Sequence, residues 1–228
     1  MRVLSTFLFG LMLTVPGLAA VAAEATTKGA TPSNPGFLAN YDRLDKAGRP
    51  RKRYLVYMAP EAEGRAVHAI LLLPATIAPP GAVFEDVTTE HMAALSSRLD
   101  SRLRAGFSKH ARIASDASGA DVRLELAITQ VGVEEKGRGL IDLVPLRLVT
   151  GSIRNVAQGK EMQAFLTIES RVLDAATGAV LRERLDHMAG EEIGRSGDPG
   201  TKLTLESLLP AADAWVEQLV KATAPELE

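Results

Sequence analysis

The chain has no cysteine, and that absence removes several kinds of protein at once. A disulfide framework, a thiolate metal site and a cysteine nucleophile are all excluded, as is a lipid-modified cysteine anchor. Stability has to come from packing. An excess of one charge is missing too: 26 Lys and Arg stand against 28 Asp and Glu, for a formal net charge of −2. Such a balance implies neither nucleic acid nor an anionic membrane as a partner. Beyond the amino terminus no apolar run reaches the roughly 20 residues that a membrane span takes. Signatures of chemistry are lacking as well. There is no Gly-x-Ser-x-Gly elbow, no Gly-x-x-x-x-Gly-Lys phosphate loop and no dinucleotide fingerprint.

The polar residues that are present read as structural. The four histidines, His68, His91, His110 and His187, never fall at the His-x-x-x-His spacing that sets two imidazoles on one helix face for a metal. Each is expected at the surface or at an element edge, satisfied by its neighbours, so neither metal nor cofactor is expected. Ser115, Asp116 and Ser118 lie in a turn-rich stretch where local hydrogen bonding accounts for them. Glu191 and Glu192 are adjacent and should point apart, whereas acid/base chemistry needs two carboxylates in one pocket. Gly194 to Gly200 reads as a polar loop, and Arg49-Pro50-Arg51-Lys52-Arg53 as a solvated one without interleaved aromatics.

The amino terminus carries an export pattern. Arg2 is followed by an uncharged stretch from Val3 to Leu18, then by Ala19-Ala20-Val21-Ala22-Ala23-Glu24, with small residues at both recognition positions of a cleavage site. Residues 1–23 are therefore expected to be a cleaved signal peptide, cut after Ala22 or Ala23. Residues 24–35 are rich in Ala, Thr, Gly, Pro and Ser and read as a flexible leader. Residues 36–228 then form one domain, with no membrane span left after signal removal.

Within that domain the periodicity changes several times. Arg53 to Met58 and Val67 to Leu73, each stopped by a proline, read as strands, the second as a buried one. Thr88 and Thr89 can cap a helix to about Lys109, with Met92, Leu95, Leu99, Leu103 and Phe107 on one face. Asp121 to Val133 alternates dry and wet positions, as a half-buried strand does. Met162 to Leu173 and Ala179 to Met188 form a hairpin around Asp174 to Gly178, and in the first strand Ala164, Leu166, Ile168 and Val172 alternate with the wetter Thr167, Glu169 and Arg171. Leu205, Leu208, Leu209, Ala212, Trp215, Val216 and Leu219 share a face of a last helix, kinked or begun at Pro210. The expectation is a two-layer α+β domain with a largely antiparallel sheet and helices packed on one face.

Pro35-Gly36-Phe37-Leu38 with Tyr41 and Leu44, the strand ending Leu73-Pro74, the strand Asp121 to Thr129, the hairpin Asp174 to Leu181 and Trp215 follow one another along the chain. In that order they resemble an uncharacterised Gram-negative envelope family, domain of unknown function 3313, many of whose members are lipoproteins. The resemblance spans most of Pro35 to Leu219 and implies an envelope protein, while bringing no activity and no catalytic residues; the periplasm is the location expected from the cleavable signal peptide. The chain departs from the family in having no cysteine after the signal peptide.

One stretch stands out for function. Leu140, Ile141, Leu143, Val144, Leu146 and Leu148 crowd a connection bracketed by Gly137, Gly139 and Gly151, although connections are usually polar. It either packs over the sheet or forms an interface with a partner, a second copy or a membrane surface. The favoured expectation is a non-enzymatic periplasmic accessory protein that binds a protein or an envelope component, self-association included. The alternative is a hydrolase acting on an envelope glycan or lipid through acidic residues.

Overall fold

The alternating segments become the middle of a seven-stranded sheet. The computed structural model describes residues 36–44, 54–80, 82, 84, 87–137 and 158–223, all within one compact unit, Pro32–Glu228. In chain order the strands are β1 (Tyr54–Met58), β2 (Ala69–Leu72), β3 (Thr76–Ile77), β4 (Arg112–Ile113), β5 (Val122–Glu135), β6 (Glu161–Asp174) and β7 (Val180–Arg195). Helix α1 (Thr89–Phe107) lies between β3 and β4, and α2 (Leu205–Thr223) closes the described chain.

Across the sheet the order is β1-β7-β6-β5-β2-β4, with β3 also paired to β5. The four strands from β1 to β5 in that order are antiparallel. The short strands β2, β3 and β4 join in parallel. The α+β class and the largely antiparallel sheet hold, with a parallel margin that the sequence pattern did not separate. Strand β7 continues to Arg195, so the start of the expected glycine-rich loop is strand.

Both helices cover one face. The α1 stripe is the expected one, Met92, Leu95, Leu99, Leu103 and Phe107, all buried. Its N-cap is Thr88, whose hydroxyl accepts from the His91 N–H at 3.2 Å. Helix α2 starts ahead of Pro210, at Leu205. Thr204 and Ser207 hold that end reciprocally: each hydroxyl accepts from the other residue's backbone N–H, at 3.2 and 3.1 Å. Pro210 is exposed within the helix. Where the two helices cross, a Cβ on Gly106 would stand 2.7 Å from the Val220 side chain, so glycine sets their separation.

The core under the helices is continuous. Val122, Leu124, Leu126 and Ile128 of β5, Ala164, Leu166 and Ile168 of β6, and Met188 of β7 meet Leu208, Trp215 and Leu219 of α2. Beneath α2 the sheet also holds a charge pair. Arg184 donates from Nε and Nη2 to the Asp186 carboxylate at 2.6–2.8 Å, and its guanidinium lies over the Tyr54 ring at 4.3 Å. The Trp215 indole donates to Asp186 Oδ2 at 3.0 Å. Burial pushes the Asp186 carboxyl above its usual value, against the pull of Arg184 and the indole.

The β6–β7 turn follows its chemistry. The Asp174 carboxylate accepts from the Ala176 and Thr177 N–H groups at 3.0 and 2.7 Å. Gly178 then sits at φ 73°, the left-handed region where a Cβ is penalised.

Candidate functional site

The opposite face of the sheet is polar and largely covered, and a single irregularity builds much of it. Side chains alternate along a strand, so Arg123, Glu125 and Ala127 of β5 share the face away from the helices. Between Ile128 and Gln130 the β5–β6 register shifts. This β-bulge leaves Thr129 unmatched and reverses parity. From there on Gln130, Gly132 and Glu134 point to the polar face, opposite Thr167, Phe165 and Gln163.

The first part of this face is a strap. Residues Gly36 to Leu44 cross it, and Leu38, Tyr41 and Leu44 pack on Leu185 of β7 in a cluster separate from the main core. Phe37, Leu55 and Tyr57 border that cluster. The polar hold converges on one carboxylate. Glu169 Oε2 accepts from the Phe37 N–H at 2.8 Å, the Leu38 N–H at 3.0 Å and the Tyr41 hydroxyl at 2.5 Å. Glu169 is 3% exposed in the middle of β6, where a charge without donors would be costly. Burial, with the charge of Glu169 next, holds the Tyr41 phenol well above its ordinary pKa, so it remains a donor. At the far end Arg43 forks onto buried Glu183 at 2.7 and 2.5 Å and covers the Tyr57 ring at 4.4 Å.

Gly36 explains its own place in the sequence motif. A Cβ there would overlap the Tyr41 hydroxyl and the Glu169 carboxylate. Beside the strap, Arg171 stacks over Phe37 at 4.6 Å and bonds Glu125 at 2.6–2.7 Å. Arg123 meets the other Glu125 oxygen at 2.7 Å.

The second part is a buried network. His187 Nε2 lies 2.9 Å from Glu134 Oε2, and Gln163 donates to Glu134 Oε1 at 2.8 Å. On its other side, His187 Nδ1 is 3.3 Å from the Thr167 hydroxyl, which is itself 3.4 Å from Gln130 Oε1. The Phe165 ring is tilted against the imidazole at 5.0 Å. An ionised carboxylate only accepts, so with Glu134 ionised this contact is a donation from Nε2–H. Thr167 can donate to Nδ1 of a neutral ring, or accept from a cationic one and donate to Gln130. The order carboxylate–imidazole–hydroxyl matches that of a nucleophilic triad. Burial argues against that chemistry, since His187 and Thr167 are 0% and 1% exposed.

His187 thus corrects the expectation from sequence. It is neither at the surface nor at an element end: β7 runs eight residues past it, to Arg195, and its ring is sealed. His68 and His110 are exposed and His91 half-buried. Asp116 engages Ser115, Ser118 and the Gly119 N–H locally, at 2.6–3.0 Å. Glu191 and Glu192 are exposed, and Glu192 pairs with Lys136 at 2.6 Å. Leu140, Ile141, Leu143, Val144, Leu146 and Leu148 lie outside the described residues. Alternation on β6 already signalled Thr167, Glu169 and Arg171 as one face. Glu134 was missed because no residue pattern marks the bulge that re-aims it.

No described helix is long and apolar enough to cross a membrane. A family model described as "Protein of unknown function (DUF3313)" matches residues 33–219. No curated protein matches the chain. Among solved structures, the chain is similar to the PelC dodecamer of Paraburkholderia phytofirmans, at 15% identity over 76% of this chain and 96% of that one, with a TM-score of 0.36. It is also similar to a hypothetical protein of Chlamydia trachomatis, at 11% identity over 71% and 98%, with a TM-score of 0.45. A protein of Xanthomonas campestris shows 12% identity over 74% and 90%, with a TM-score of 0.41.

Proposed function

We propose that this chain, which belongs to the DUF3313 family of proteins of unknown function, is an exported accessory protein of the cell envelope that acts by binding rather than by catalysis. The supporting observation is how the carboxylates of the sheet are used. Glu125 serves two arginines, Glu183 serves Arg43, Asp186 serves Arg184 and Trp215, Glu169 serves the strap, and Glu134 serves Gln163 and His187. Acid/base catalysis wants a pair of carboxylates in one pocket with separated pKa values; here each is committed to holding the fold. Export to the periplasm rests on the amino-terminal pattern. The partner surface is assigned to the apolar stretch with Leu140, Ile141, Leu143, Val144, Leu146 and Leu148, because fully exposing one Leu-sized side chain forfeits roughly 1.5–3 kcal/mol.

The test is co-purification from envelope extract with the wild-type chain and with Leu143→Asp. A discrete set of envelope components retained by the first and lost by the second, at an unchanged thermal midpoint, supports the reading. A large fall in midpoint with the surviving folded protein binding as before rejects that surface. The second reading, a hydrolase of envelope glycan or lipid, has the Glu134–His187–Thr167 order in its favour. Release of sugar or fatty acid from envelope material, abolished by Glu134→Gln in a protein of native stability, would establish it.

A further inference from the structure

The strap differs from the rest of the fold in how it is held, and this has a consequence for binding. Its described backbone makes no strand ladder with the sheet; it is recognised through side chains. Glu169 reads two successive N–H groups and a phenol. Glu183 reads a guanidinium, Arg171 reads an aromatic face, and Leu185 with Leu55 and Tyr57 takes the apolar residues. This is how a groove recognises a short peptide: a few anchors in pockets and a few charged contacts that set register. Its cluster is also distinct from the core beneath the helices, so the strap can leave without disassembling the main core. Segments with few contacts to the core open at lower free energy than the whole domain.

We propose that this groove is a peptide-docking site, occupied at rest by the chain's own strap, that accepts the strap of a second copy in its place. The proposal rests on the reading of the domain as a binding module and names one occupant for it. Complementarity selects that occupant. The groove presents two buried carboxylates, which demand N–H donors and a cation, and the strap supplies them in order from Phe37, Leu38, Tyr41 and Arg43. A strap from a second copy brings the same donors at the same spacing, so exchange creates no unpaired charge. Nine residues, 45–53, separate Leu44 from β1. Fully extended, they and their flanking bonds reach roughly 30 Å, enough for a strap to cross to a neighbour.

The probe is a fluorescently labelled synthetic peptide of residues 35–44, titrated against the purified chain by anisotropy. The chain's own strap is first loosened by Gly36→Val, whose side chain overlaps Tyr41 and Glu169, and in parallel by Tyr41→Ala, which removes only a donor and its ring. The expected result is saturable binding to both variants. Binding to wild type should be weaker, because its groove is filled. Binding to Tyr41→Ala carrying Glu169→Gln should weaken about tenfold or more, since the charged acceptor is gone. Emission of Trp215, on the helix side, reports that the core is intact. No saturable binding to a variant with native Trp215 emission, or equal binding with and without Glu169→Gln, overturns the proposal. Only purified components are used, so that failure would leave the co-purification result untouched.

Discussion

Replacing Trp215 by alanine tests the docking of α2 quantitatively. The ring is 0% exposed and packs between α2 and the sheet within the main core. Truncating a buried Trp to Ala typically costs about 3–5 kcal/mol. A second loss is added because the indole N–H bonds Asp186 Oδ2 at 3.0 Å. That loss is moderated because Arg184 still bonds both Asp186 oxygens, so about 1 kcal/mol is the appropriate figure for a single hydrogen bond. The sum for Trp215→Ala is about 4–6 kcal/mol, and Trp215→Phe, which keeps most of the packing, should cost about 1–2 kcal/mol. For a domain of about 150–250 residues each kcal/mol moves the midpoint by roughly 2–4 °C, so Trp215→Ala should melt about 8–24 °C lower. Urea unfolding followed by circular dichroism is the assay, because Trp215 is the single tryptophan and its removal silences fluorescence. A loss below about 1 kcal/mol for Trp215→Ala, with an unchanged m-value, would refute the burial and the hydrogen bond together.

Other positions give sharper contrasts. Gly178→Val should cost about 1 kcal/mol or more through backbone strain alone, because nothing lies within 4 Å of a Cβ there. Gly178→Asn, which tolerates the left-handed region better, should cost less, and equal melting of the two would show the turn to be misread. Asp121 accepts from the His68 and Ala69 N–H groups at 2.8 and 2.9 Å; the His68 N–H is the largest cause of its lowered pKa, with burial opposing. A depressed carboxylate contributes stability that is present above its unfolded pKa of about 3.9 and is lost as pH falls through the folded value. Melting scans from pH 6 to pH 2 should therefore show a smaller decline for Asp121→Asn than for wild type; parallel curves would remove Asp121 from the account. Amino-terminal sequencing of the exported protein should begin at Ala23 or Glu24, and an intact Met1 on most molecules would end the export reading.

Much of this molecule is written in local pattern. The α1 stripe from Met92 to Phe107, its Thr88 cap, the alternation of Val122 to Ile128, the Asp174–Gly178 turn and the buried face of α2 all follow from periodicity and turn chemistry, which act between residues a few positions apart. The absence of cysteine likewise settles without coordinates that no disulfide or thiolate contributes. What only the tertiary structure decided depends on residues brought together from far along the chain. Glu169 was legible as a wet position on β6, but its three donors come from a segment more than a hundred residues earlier, and nothing local to Gly36 says that its missing Cβ makes room for a carboxylate. Glu134 reaches His187 because one unmatched residue, Thr129, reverses the parity of β5, and a reversal of parity depends on the pairing of two strands rather than on the composition of either. His187 looked peripheral because the expected strand ended at Met188; in the fold the strand runs on to Arg195 and the ring is buried. Side-chain period is a property of one strand and can be read along it, whereas which polar groups find one another is a property of register, set only when the strands meet.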